Sequence, residues 1–270
     1  MEGVRSSIGF TAMDSMVFRT LEEWFMSQLK AEGAAARSEV ERGRRLYAQA
    51  MLLFDQSKYA EGEVVVREAV QVQTRALGPE HVNTLISKHQ LARFCRFQGK
   101  LAEAEALYAE VLEVNKRTLG PTHQSTLAAM YAIAGLLKLQ GKLAEAEALY
   151  AEVLEVRKRT LGPTHRDTLV SMRSFASVLQ AQGKLMQAEG CYSECLEAMQ
   201  RTLGRTNVST LKTMAGFAQV MEAQGRLAEA QAMLVDCVAG MRDVQRPEDA
   251  DTEAVFCAAE RQLEALMQRS

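Results

Sequence analysis

The string QGKLAEAEALYAEVLEV occupies Gln98–Val114 and returns unchanged at Gln140–Val156, an offset of 42 residues. The same step carries Leu77-Gly78-Pro79-Glu80-His81 onto Leu119-Gly120-Pro121-Thr122-His123 and Leu161-Gly162-Pro163-Thr164-His165, then onto the weaker Leu203-Gly204-Arg205-Thr206-Asn207. A fixed period of about 20–50 residues marks a stacked repeat architecture, because each unit carries an apolar face that only a neighbouring unit can bury. The chain is therefore expected to form a quasi-linear array rather than a domain around one central core.

The repeat reads as a pair of helices. Pro is scarce, with 4 in 270 residues, and Ala, Leu, Glu and Gln favour helix. Asn83, Ser125, Asp167 and Ser209 each precede Thr-Leu at one phase of the period and are expected to cap the first helix, helix A. Gly99, Gly141, Gly183 and Gly225 mark the turn into helix B, where a helix end needs left-handed backbone. Leu-Gly-Pro then stops helix B. The first repeat is degenerate: Gln56-Ser57-Lys58 holds its turn, between a helix A at about Glu41–Asp55 and a helix B at about Tyr59–Arg75. One step beyond Ser209 lies Asp251, expected to cap a final unpaired helix reaching about Gln268.

The expected organisation is an N-terminal arm over 1–36, five repeats over 37–250 (37–77, 78–119, 120–161, 162–203 and 204–250), and a C-terminal capping helix over 251–270. Within the arm, Val17, Phe18, Leu21, Trp24, Phe25 and Leu29 recur at helical spacing, predicting one amphipathic helix from Met13 to Lys30. Ala31–Ala36 is expected to break the chain before the array.

A unit of the form LGPxHxxTLxxxxxLAxxxxxQGKLAEAEALYAEVLEV resembles the tetratricopeptide repeat in the long form found in kinesin light chains. Ala92 and Ala134 match its small residues of helix A. Ala104 and Ala146 match those of helix B, and Tyr108 and Tyr150 match its packing aromatics. The resemblance implies a right-handed α-solenoid of helical hairpins, and a role in binding other proteins. Kinesin light chains carry a long heptad segment before the repeats; some 36 residues without sustained heptads precede the array here, which argues against a motor-subunit role. Paired Asn residues on helix A hold a peptide backbone in that family. The matching positions here are His89-Gln90, Tyr131-Ala132, Arg173-Ser174 and Ala215-Gly216, so a peptide would be held differently.

Few residues suggest chemistry. The five cysteines make no disulfide framework, and Cys195 and Cys237, one period apart, are expected to pack as small apolar residues in a reducing, cytoplasmic setting. His81, His123 and His165 recur with the period. Units stacked at about 8–10 Å would not let adjacent imidazoles share an ion, so a hydrogen bond shaping the turn is expected instead. Cys191 and Cys195, spaced i, i+4, have no matching pair on a neighbouring repeat. Neither a phosphate-cradling loop nor a nucleophile with its base is recognisable. No enzyme activity, metal or cofactor is expected. The net charge of −2 predicts no nucleic-acid affinity, and no run reaches the roughly 18 apolar residues of a membrane span.

The informative stripe lies on helix A, whose exposed side lines the inner face of such an array. It comprises Arg44, Tyr47, Met51 and Phe54 in repeat one, and His89, Arg93 and Arg96 in repeat two. Tyr131 and Lys138 follow, then Arg173, Ser177 and Gln180, then Lys212, Gln219 and Glu222. Helix B repeats Glu103, Glu105, Glu110 and Glu113. A basic inner face and an acidic outer face are therefore expected, with an acidic protein or peptide segment as the partner. Two alternatives stay open at this point: a fragment of a larger repeat protein, and an RNA-binding helical repeat. For Leu21, Glu22, Glu23 and Trp24 three readings stay open: a cap packing on repeat one against Leu46 and Ala50, an intramolecular ligand folded into the basic face, or a mobile arm.

Overall fold

The structure is a computed structural model that describes residues 34–243 and 250–268. The expected helix over Met13–Lys30, with Leu21, Glu22, Glu23 and Trp24, lies outside the described residues. Every described element is helical: α1 (Ala34–Asp55), α2 (Tyr59–Leu77), α3 (Val82–Phe97), α4 (Leu101–Leu119), α5 (Gln124–Leu139), α6 (Leu143–Leu161), α7 (Arg166–Ala181), α8 (Leu185–Thr202), α9 (Val208–Ala223), α10 (Leu227–Asp243) and α11 (Ala250–Met267). The chain divides at Pro121–Thr122 into two compact units, α1–α4 and α5–α11. In each, consecutive helices pack as hairpins; in the second, α5 touches α7, α7 touches α9, and α11 closes the stack on α9 and α10. No described helix is long and apolar enough to cross a membrane.

Three sequence signals are realised by identifiable geometry. The turns at Gly99, Gly141, Gly183 and Gly225 take φ values of 76°, 77°, 76° and 81°, and Ser57 takes the same left-handed conformation at 58°. Each closes the end of helix A with a pair of bonds, such as Lys100 N to Cys95 O at 2.9 Å and Gly99 N to Arg96 O at 3.0 Å. This pattern satisfies carbonyls that the helix end leaves open. Small residues fall where helices cross: Ala92, Ala104, Ala134 and Ala146 are fully buried. Tyr108 and Tyr150 are buried at 1% and 4% exposure. Cys195 and Cys237 are buried free thiols donating to the carbonyls of Leu169 and Leu211, and burial pushes both up to about 12.

The helix starts differ from expectation. The N-caps are His81, His123, His165 and Asn207, two residues before the expected ones. Nδ1 of each histidine, or Oδ1 of Asn207, accepts the amide of Asn83, Ser125, Asp167 or Ser209 at 2.9–3.2 Å. The expected caps are thus the residues being capped. Thr84 and Thr210, just behind them, donate to the carbonyls of Gly78 and Gly204 at 2.8 Å and tie the helix to its turn. Helix α1 begins at Ala34 rather than near Glu41, consistent with the high helix propensity of Ala34-Ala35-Ala36. Asp251 lies inside the first turn of α11 rather than before it.

Candidate functional site

The string Gln-Gly-Lys is the part of the repeat most faithfully kept, and the structure gives it a partner. Lys100 Nζ and Gln98 Nε2 both reach Glu63 Oε2 of the preceding repeat at 2.6 Å. Lys184 does the same to Glu147 at 2.8 Å, and Gln224 and Arg226 to Glu189. Each clamp joins one helix B to the next repeat's turn. Glu63 is the buried member, and Arg67 adds a further bond to it at 2.6 Å and one to Glu103 at 2.8 Å. Burial opposes ionisation of Glu63, but hydrogen bonds from Lys100, Arg67 and Gln98 outweigh it and hold the carboxyl below its ordinary value. Lys88 takes Glu110 at 2.6 Å. Helix B is therefore less acidic towards solvent than its composition suggests, because several of its carboxylates are paired with cations of the array, most of them partly exposed.

Glu63, Cys95 and Glu103 bring donor atoms within 4.8 Å of one another, the one metal-compatible group among the described residues. Arg67 and Lys100 already neutralise both carboxylates, and burial first of all pushes the Cys95 thiol up to about 11. The group serves as an ion-pair knot between repeats.

On the helix-A side, the first unit carries Arg44 and Tyr47 on α1, partly buried, with His89, Arg93 and Arg96 on α3. Met51, expected in the stripe, is core. Phe54 lies in a ring cluster with Tyr59, Phe94 and Phe97 at centroid distances of 5.2–5.3 Å. The two arginines lie on this cluster: Arg93 is 4.4 Å from the Phe54 centroid and Arg96 4.7 Å from that of Phe97. The rings hold both guanidinium planes by cation–π attraction. His89 packs edge-on to Tyr108 at 5.1 Å. Burial, then Arg93 and Arg96, push the imidazole down to about 3. His89 is therefore an aromatic wall and adds no positive charge to this face.

In the second unit the predicted residues form a ladder across successive A helices. Tyr131 Oη on α5 shares a 2.7 Å hydrogen bond with Ser174 Oγ on α7. Lys138 Nζ on α5 donates to Ser177 Oγ on α7. Gln180 on α7 donates to Gln219 on α9 at 3.1 Å and accepts from Tyr192 Oη at 3.3 Å. Glu222 accepts from Gln262 of the closing helix at 2.6 Å. Lys212 sits partly exposed on α9. Two cations of this ladder have no ion pair among the described residues, Lys138 and Arg173, and the Nη1 of Arg173 is buried without an acceptor. Burial lowers the pKa of Lys138.

One residue of the second unit escaped the stripe. Arg157, on α6, is 1% exposed and lies beneath Tyr131, with its guanidinium carbon 5.5 Å from the ring centroid. The sequence signal that could have found it is small but exact in place: helix B of repeats two and three differs only at Asn115 and Arg157.

The sequence profile of the tetratricopeptide repeat matches residues 44–117, 86–159, 126–185 and 167–243. The chain belongs to the tetratricopeptide repeat family. Among solved structures, it is similar to a Podosopora anserina protein described as a kinesin light chain with nearly identical tetratricopeptide-like repeats. The identity is 27%, covering 77% of this chain and 98% of that one, with a TM-score of 0.62. BtubC (BKLC) from P. vanneervenii shares the fold at 18% identity, with 88% and 90% covered and a TM-score of 0.54. Bacillus thuringiensis PlcR, solved with the peptide PapR7 and DNA, shares it at 14% identity, with 81% and 74% covered and a TM-score of 0.63. The sequence has no match among curated proteins.

Proposed function

We propose that this tetratricopeptide chain is a non-catalytic interaction module that binds an acidic peptide segment on its helix-A faces. Those faces are that of α1 and α3 in the first unit and that of α5, α7 and α9 in the second. The observation that carries the proposal is the contrast in charge pairing. Lys100, Lys184 and Arg226, in the turns, are each matched to a carboxylate, whereas Lys138 and Arg173, on the A helices, have none among the described residues. An extended acidic segment would supply the missing charges, and the hydroxyl and amide ladder would serve its backbone. Two proteins that share the fold, PlcR and NprR, were each solved with a peptide, which supports a peptide as the class of partner. The free, buried thiols suit a cytoplasmic setting.

The test uses a fluorescent peptide copied from residues 17–29 of this chain, which carries Glu22, Glu23 and Trp24. Saturable binding that weakens with salt and is lost when Arg93, Arg96, Lys138 and Arg173 become Glu supports the proposal. Unchanged binding by that variant, with helicity retained, would move the site off these faces.

A further inference from the structure

Among the described residues Arg157 is the largest of the fully buried side chains; burial lowers its pKa, and the nearby charge of Asp167 opposes that only in part. Its Nη1 donates to the Asp167 carbonyl at 3.2 Å and to Ser171 Oγ at 2.7 Å. Nε and Nη2 are buried without an acceptor, and no carboxylate forms an ion pair with it among the described residues. A guanidinium taken out of water is costly unless an anion or a full set of acceptors replaces the water it loses. The repeat shows that the fold does not ask for this cation. The same position carries Gln73, Asn115, Met199 and Met241 in the other repeats, all buried and all neutral. At the repeat-four equivalent, Thr213 Oγ lies 3.2 Å from Met199 Sδ in the place of the Ser171 contact.

The remaining neighbours describe a covered site. One face of the guanidinium is closed by the Tyr131 ring, which is itself partly exposed on the α5 face and pinned by its bond to Ser174. The two orphan donors, Nε and Nη2, belong to the edge of the guanidinium that grips an oxyanion through two parallel hydrogen bonds. We propose that Arg157 is the buried anchor of an oxyanion site between α5, α6 and α7, taking one carboxylate or phosphate group past a displaced Tyr131 ring. This goes beyond binding on the helix-A ladder, because the anion is drawn beneath it. It also makes repeat three chemically distinct from repeat two, whose helix B is otherwise identical.

The full-length chain, titrated calorimetrically with inorganic phosphate and with acetate at fixed ionic strength, tests this. Arg157→Asn and Arg157→Met copy residues that the neighbouring repeats already accommodate, so both variants are expected to keep their helicity and melt no lower than the parent. The expected result is saturable binding of at least one anion by the parent, weakened about tenfold or more in both variants through loss of a charge-assisted bidentate contact. Response to phosphate alone assigns a phosphorylated group, and response to acetate alone assigns a carboxylate. Absence of saturable binding by the parent, or equal affinity in the variants, overturns the site. So does a large drop in melting temperature for Arg157→Met, which would show the cation to be structural. Anion affinity unchanged in Arg157→Asn, with acidic-peptide binding retained, leaves the helix-A proposal standing while this one fails.

Discussion

Gly62 on α2 exists to admit the ring of Phe94 on α3: a Cβ placed at residue 62 would lie 2.3 Å from Phe94 Cε1 and 2.6 Å from Cζ. Gly62 stands where later repeats have Ala104, Ala146 and Ala188. In the second unit the residue matching Phe94 is the smaller Val178, in one core cluster with Ala146. The glycine and the large ring are thus a compensating pair. Gly62→Ala is expected to destabilise the chain by about 1–3 kcal/mol through overpacking in a closed core. Combining it with Phe94→Val, which copies the Ala146 and Val178 pair, should show favourable coupling above about 0.5 kcal/mol in denaturant melts. Strict additivity would mean the two sites do not touch.

Ser57 holds a left-handed backbone that its counterparts leave to glycine. Such a conformation costs a residue with a Cβ about 1–2 kcal/mol, and glycine's greater freedom in the unfolded chain returns about half of that. Ser57→Gly should therefore stabilise the chain by about 0.5–1 kcal/mol. A lower melting temperature in this variant would show that the Ser57 side chain makes a contact worth more than the strain.

The histidine caps make a paired prediction. His123→Ala removes the acceptor for the Ser125 amide and should cost about 1 kcal/mol, as for other caps. His123→Asn, which copies Asn207, should cost far less. Equal losses in chemical melts would show that the ring packs rather than caps.

Tyr150 is buried and meets the Tyr131 ring edge-on at 5.2 Å. Tyr150→Ala should lower stability by about 3–5 kcal/mol. A loss below about 1 kcal/mol would place the ring outside the core.

His89 supplies a pH dependence. Its folded pKa lies at about 3, against an ordinary 6.5, because burial and the nearby Arg93 and Arg96 disfavour the imidazolium. The unfolded chain therefore takes up a proton that the folded chain refuses. The stability due to neutral His89 is complete above about pH 6.5 and is lost as pH falls towards 3, with a slope of at most about 1.4 kcal/mol per unit. His89→Tyr, which places at 89 the residue found at 131, should flatten the stretch between pH 6.5 and 4.5. Below that, the depressed carboxyl of Glu63 adds its own loss, which Glu63→Gln would remove. An unchanged slope in His89→Tyr would mean that the imidazole is solvated.

What the sequence by itself determined is whatever repeats within reach of the local backbone. The 42-residue step located every described hairpin. The glycines at 99, 141, 183 and 225 located the turns, because few other residues adopt positive φ without strain. Ala104, Tyr108 and their copies marked the buried side of helix B, because a helix presents a fixed face every three or four residues. The tertiary structure alone decided who meets whom across helices. Glu63 finds Lys100, and Tyr131 finds Ser174, at separations of 37 and 43 residues that only the stacking of repeats closes. Helix-B carboxylates such as Glu103 and Glu110 gained ion-pair partners in Arg67 and Lys88, and a histidine in a polar stripe became a neutral wall. Arg157 is the sharpest case. Its one-letter difference from Asn115 is visible in the sequence, but its burial beneath Tyr131, with two donors unmatched, follows from the packing of three helices and from nothing local.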